Sequence, residues 1–203
     1  VRRSLRYTWS SSEGHLYREQ TRLVELGWAE VDVEASGGRS RKRYSITPEG
    51  EAALAAWLAT EPQQPSFEIE GFMRLFYADR GTIEDMVLSL EKTAGDARRM
   101  LAELGDFVDE YLAEGGPLWL LEHGEGSPDA GRVEFRGRPM FPERLHVVAL
   151  VLDATTQLLA QVEQFCSRTA IEVRAWPSPT HGQLTASTRA RLESIRARLD
   201  RLS

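Results

Sequence analysis

Arg39, Arg41, Lys42 and Arg43 fall within five positions, directly after Gly37-Gly38. Upstream, Ser11, Ser12, His15, Arg18, Thr21 and Arg22 recur at spacings that share one side of a helix. Guanidinium and ammonium groups clustered in this way pair with phosphate, and arginine also takes guanine edges bidentately. Hydroxyls at a helix start lie where the dipole and free N–H groups favour an anion. Tyr17 either touches a nucleic-acid backbone or packs inward. Together these types suit the reading of a duplex, the helix in the major groove and the basic hairpin tip in the minor groove, where narrow geometry attracts arginine. Each feature alone also suits a solvated surface. Their adjacency favours binding.

Positioning these groups needs a helix, a hairpin and a second helix, and local signals for each are present. Ser10 followed by Glu13 is a capping-box pattern, and Gly27 is the expected stop. Trp28, Val31 and Val33 among polar residues predict a half-buried strand. Gly37-Gly38 marks a turn, and Arg43 to Thr47 returns as a second strand. Thr47-Pro48 opens a helix with threonine as cap and proline at the first position. Helix, strand, turn, strand, helix is the winged-helix layout, with the basic cluster on the wing. Such a domain needs helices ahead of its recognition helix. Only nine residues precede Ser10, so the chain reads as a fragment, with Val1 to Arg6 as the tail of a preceding helix.

The stretches SSEGHLYREQTRLVELGWAEV and GGRSRKRYSITPEGEAALAAWL resemble the PadR family of bacterial transcriptional regulators. The matching features are Ser-x-x-x-x-Leu-Tyr at the helix start, Leu-Gly-Trp at its end, the basic wing, and Tyr-Ser-Ile-Thr-Pro-Glu-Gly. The resemblance is specific over Trp9 to Leu58 and looser from Phe67 to about Thr169. Beyond Trp176 it says little. Gln20 departs from it, standing where the family usually places an apolar residue. The resemblance implies a DNA-binding regulator, and some family members bind flat aromatic ligands at a dimer interface. Phe72, Met73, Phe76 and Trp119 therefore either fill a core or line a pocket for a small aromatic effector between the winged helix and the helical part.

The rest of the chain reads as helical. Pro62 and Pro65 break the chain after a short alanine-rich helix, predicting a winged-helix domain over 1–61 and a helical dimerisation and effector domain over 66–203. Phe67 to Asp79, apolar nearly all round, predicts a helix buried between others. Thr82 opens the longest helix, whose stripe Ile83, Val87, Leu90, Ala94, Ala97, Leu101, Leu104, Val108, Tyr111 keeps heptad spacing. Leu145, Val148, Leu152, Thr155, Leu159, Val162, Cys166 and Thr169 form a second such stripe. Residues 115–140 read as a long mobile loop with a short helix or turn around Leu118 to His123. A last helix over Thr185 to Leu202 carries Leu192, Ile195, Leu199 and Leu202 on one side. The fold class expected is mostly α, with a two-stranded β wing and long antiparallel helices. Stripes too long to bury against one another predict a homodimer.

Composition narrows the function. The net charge is −6, yet residues 1–60 hold nine of the 25 basic and eight of the 31 acidic residues. The front is thus the part able to face a phosphate backbone without general repulsion. One cysteine, Cys166, rules out an internal disulfide and fits a reducing cytoplasm. No run of about 18 apolar residues is seen, so no membrane span is expected. His15, His123, His146 and His181 form no zinc motif, no glycine stretch forms a phosphate loop, and no carboxylate pair is marked for acid–base work. The expectation is no enzyme, no metal and no cofactor. It is a repressor that binds a pseudo-palindromic operator in double-stranded DNA as a homodimer. The alternative is a winged-helix module that docks proteins without sequence-specific DNA binding.

Overall fold

The computed structural model describes residues 13–36, 39–123, 133–135, 138–140, 144–180 and 185–202. The chain divides into two compact units, Val1–Phe67 and Glu68–Ser203. The fold is mostly α-helical, with a small two-stranded wing in the first unit and long helices in the second.

In the first unit α1 spans Glu13–Glu25, β1 Ala29–Ser36, β2 Arg39–Ile46 and α2 Pro48–Leu58. Helix α1 stops as its glycine dictates. Gly27 has φ 71°, Trp28 N–H donates to the Leu23 carbonyl at 2.9 Å, and Gly27 N–H donates to Val24 at 3.0 Å. This is the paired-bond cap that a left-handed glycine permits. The strands pair antiparallel from Ala29 opposite Ile46 to Ser36 opposite Arg39. Gly37 and Gly38, the expected turn, lie outside the described residues, as do the Ser10 cap and Val1 to Arg6. Among the residues of this unit whose burial is described, Gly50 alone is buried. Val33, expected half-buried, is 65% exposed, because β1 and β2 form a two-stranded ribbon that no other described element covers at that position.

The second unit is built on an antiparallel helix pair. Helix α4 covers Ile83–Leu112 and α6 covers Leu145–Arg174. Their direction follows from cross-links: Arg98 Nε donates to Glu163 at 2.8 Å, while Glu91, a turn and more earlier, meets Arg174 further on. The two heptad stripes are the faces that meet. Val87, Leu90, Ala94, Ala97 and Leu104 of α4 are buried, as are Leu152, Thr155, Cys166 and Thr169 of α6. Helix α4 starts on a full capping box, Thr82 N–H donating to Asp85 at 2.9 Å and Asp85 N–H to Thr82 Oγ1 at 3.1 Å.

Two expectations need correction here. The aromatic segment is a short helix, α3 (Glu70–Phe76), with no buried residue. Met73 and Phe76 stay exposed because α3 lies along α4 on one side only. Within 115–140 the short helix or turn expected around Leu118 to His123 is present as α5 (Pro117–Glu122), and a small hairpin stands where loop was expected. Helix α5 starts on a buried proline, and the hairpin pairs β3 (Val133–Phe135) with β4 (Arg138–Met140). Helix α6 is also long and apolar enough, by length and composition, to cross a membrane. Its stripe packs on α4, but Val147, Leu150 and Leu158 on its other side stay exposed. The last helix, α7 (Thr185–Asp200), carries exposed Leu192, Ile195 and Leu199, and Arg191 pairs with Glu172 of α6.

Candidate nucleic-acid interface

The wing and α1 are tied together by the turn Thr47-Pro48-Glu49-Gly50. Thr47 caps α2 by accepting from Gly50 N–H at 3.0 Å. Its hydroxyl proton goes to the Gly27 carbonyl at 2.6 Å, at the end of α1. Its own N–H donates to the Trp28 carbonyl at 3.1 Å. One residue thereby joins the C-terminus of α1, the end of β2 and the start of α2. Gly50 lets this happen, since an added Cβ would stand 2.1 Å from the Trp28 carbonyl oxygen. The requirement is close approach of backbone to backbone, which only glycine allows.

On this frame Arg18 and Arg22 lie one helical turn apart on α1 and are exposed. His15 and Tyr17 lie on the same helix, while Ser11 and Ser12 fall outside the described residues. Arg39, Arg41, Lys42 and Arg43 lie on β2, with Lys42 and Arg43 exposed. The register adds something the linear sequence does not show. Asp32 stands opposite Arg43, and Glu34 opposite Arg41. Directly paired residues on adjacent strands are close enough for opposite charges to interact. Asp32 therefore faces the Arg43 charge, while in register Arg39 falls opposite Ser36 and Lys42 opposite Val33.

The four residues considered for a ligand are not all brought together. Phe72, Met73 and Phe76 share α3, where Phe72 meets Phe165 edge-to-face at 5.6 Å and Phe76 meets Tyr77 at 5.1 Å. Trp119 is on α5, stacked on His123 at 3.9 Å. Helix α3 lies beside Thr93, where a Cβ on Gly71 would meet that side chain. Gly116, at the start of α5, lies against Glu110. At 1.5 Å per residue these points are roughly 25 Å apart along α4. The sequence reading missed a different feature, an apolar groove of about 730 Å3 formed by α4, α5 and α6.

Among the described residues no group of three or more His, Cys, Asp and Glu could hold a metal ion. Cys166 is buried in the α4–α6 core. Burial pushes its thiol above the usual range, and the nearby Glu163 charge adds to this. A thiol so placed is a core side chain and a poor nucleophile.

No protein-family model matches the chain, and no curated protein matches it in sequence. Solved structures do match in fold. The chain is similar to the PadR-like transcriptional regulator BC1756 from Bacillus cereus, with a TM-score of 0.59 and 13% identity over 85% of this chain and 82% of that one. It is similar to Bacillus subtilis PadR, solved in complex with operator DNA, with a TM-score of 0.55 and 14% identity over 85% of each chain. The Vibrio cholerae virulence activator AphA follows at a TM-score of 0.53 and 20% identity, over 85% of this chain and 83% of that one. At such identities the likeness is one of fold. The fold is a winged helix-turn-helix resembling that of the PadR and AphA regulators.

Proposed function

We propose that this chain is a DNA-binding transcriptional regulator, a repressor that occupies a pseudo-palindromic operator as a homodimer. Helix α1 enters the major groove with His15, Tyr17, Arg18 and Arg22, and Ser11 and Ser12, which precede it in the sequence, contact the same DNA. The wing lies along the minor groove through Arg39, Arg41, Lys42 and Arg43. The observation that carries this reading is the Thr47–Gly27 link, which holds the end of α1 and the base of the wing in one rigid corner. A symmetric reader needs two such corners about one helical turn of DNA apart. The exposed apolar side chains Val147, Leu150 and Leu158 of α6 supply a surface that a second copy would cover. A small aromatic effector would act by favouring one spacing of the two recognition helices over another. Phe72 and Phe76 offer it exposed aromatic surface and Met73 an exposed thioether, and Trp119 stands apart from them.

The test is a titration of an Arg39→Ala, Arg41→Ala double variant against the chain's own upstream DNA at several salt concentrations. Each phosphate that the variant leaves unneutralised takes about 0.9 off the slope of log K against log salt. An unchanged slope removes the wing from the interface. A second reading, a winged-helix platform for protein docking, draws on the carboxylates Asp32 and Glu34 opposite Arg43 and Arg41. A gel shift abolished equally by scrambled competitor DNA would favour it.

A further inference from the structure

We propose that the helical unit binds a small organic cation with an apolar body, in the groove between the end of α4, α5 and the start of α6. At about 730 Å3 the groove falls within the range of about 300–1,000 Å3 typical of small-molecule sites. Leu112 of α4, Leu118 and Leu121 of α5, and Leu145 of α6 supply apolar walls.

The polar lining decides the sign of the ligand. Asp153 is the lining residue with a fixed charge, His146 is the one lining base, and among the described residues no lysine or arginine lines the groove. Its carboxylate accepts one bond, from Gln157 Nε2 at 2.9 Å, and keeps its remaining lone pairs. Thr156 gives its hydroxyl proton to the carbonyls of Leu152 and Asp153, at 2.9 and 3.0 Å, so towards the groove it can only accept. Tyr111 is half-buried, and burial together with the Glu110 charge keeps its phenol protonated. An organic anion here would stand beside the Asp153 carboxylate, with His146 as the only lining base among the described residues. A cation gains Asp153 while its apolar body takes the leucine walls. Because the groove sits where the α4 and α6 stripes end, occupancy would bear on how the two helices pack. That consequence rests on the regulatory reading; the binding itself does not.

The experiment uses the full chain without DNA. Isothermal titration compares tetraphenylphosphonium with tetraphenylborate, ions of the same shape and opposite charge. The phosphonium is expected to bind once per chain, and the borate at least about tenfold more weakly, a gap of about 1.4 kcal/mol. Asp153→Asn should weaken the phosphonium about fivefold and narrow the gap. Ala149→Trp, at an exposed position lining the groove, should abolish binding while leaving the thermal melt intact. Equal affinity for the two ions, no binding, or indifference to both substitutions would overturn the proposal. So would a chain that binds neither ion and whose dimer dissociates on Ala149→Trp, which would give the groove to a second copy. Loss of DNA binding in a gel shift with the titration intact would remove the regulatory reading and leave this site standing.

Discussion

If Thr47 is the joint between α1, the wing and α2, removing its hydroxyl should loosen all three. Thr47→Val keeps the shape and the extended backbone of the cap and deletes the oxygen. Two interactions go. The bond from Gly50 N–H is an N-cap bond, worth about 1 kcal/mol. The bond to the Gly27 carbonyl is exposed, so water can replace it, and its net worth is about 0.5 kcal/mol. The loss of about 1.5 kcal/mol corresponds to roughly tenfold more frequent local opening. Backbone amide exchange reads this directly. Gly50 N–H loses its acceptor and is uninformative. The Thr47 N–H, bonded to the Trp28 carbonyl at 3.1 Å, and the Glu51 N–H, bonded to the Thr47 carbonyl at 2.9 Å, both keep their partners. These two should exchange roughly tenfold faster, with amides in the α4–α6 pair unchanged. Thr47→Ser, which keeps the oxygen, should restore most of the protection. If Thr47→Ser behaves like Thr47→Val, or neither changes the two amides, the hydroxyl is not the joint and the rigid corner has another cause.

Gly95 and Gly105 interrupt α4, and an added Cβ at either meets no heavy atom within 4 Å. Alanine at each should stabilise by about 1 kcal/mol, read as a higher urea midpoint; a loss of stability would show that a second chain covers that face. Three carboxyls of the helical unit are held below their usual range. Asp85 owes this first to the Thr82 backbone N–H and then to its hydroxyl, Asp96 to Lys92 and then Arg99, and Glu163 to Arg98 and then Ser167. A depressed carboxyl stabilises the fold above its unfolded value and loses that contribution as pH falls through the folded one. The Tm of the unit should therefore hold near neutrality and drop below about pH 4, and a Tm that rises on acidification would contradict the assignment.

Much of the fold was legible because its determinants are local. The left-handed Gly27, the Thr47-Pro48 start and the helix start at Thr82 each work within a few residues, so spacing alone declares them. The α4 and α6 stripes were also legible, because a heptad repeat commits one face of a helix to burial wherever its partner comes from. What the sequence could not declare depends on backbones far apart in the chain. That Thr47 also bonds the carbonyl of Gly27, 20 residues away, and that Gly50 must lack a Cβ because Trp28 passes beside it, are facts of approach. Asp32 and Glu34 looked like scattered surface charge until the strand register set them against Arg43 and Arg41. The α3 aromatics carried a core-like composition, yet burial needs a second surface, and α4 supplies only one side. The groove had no signature at all, because α4, α5 and α6 each bring to it residues that look like ordinary helix lining. Periodicity states which side of a helix avoids water. Only the packing states whether another helix, a second chain or a small molecule fills the space beside it.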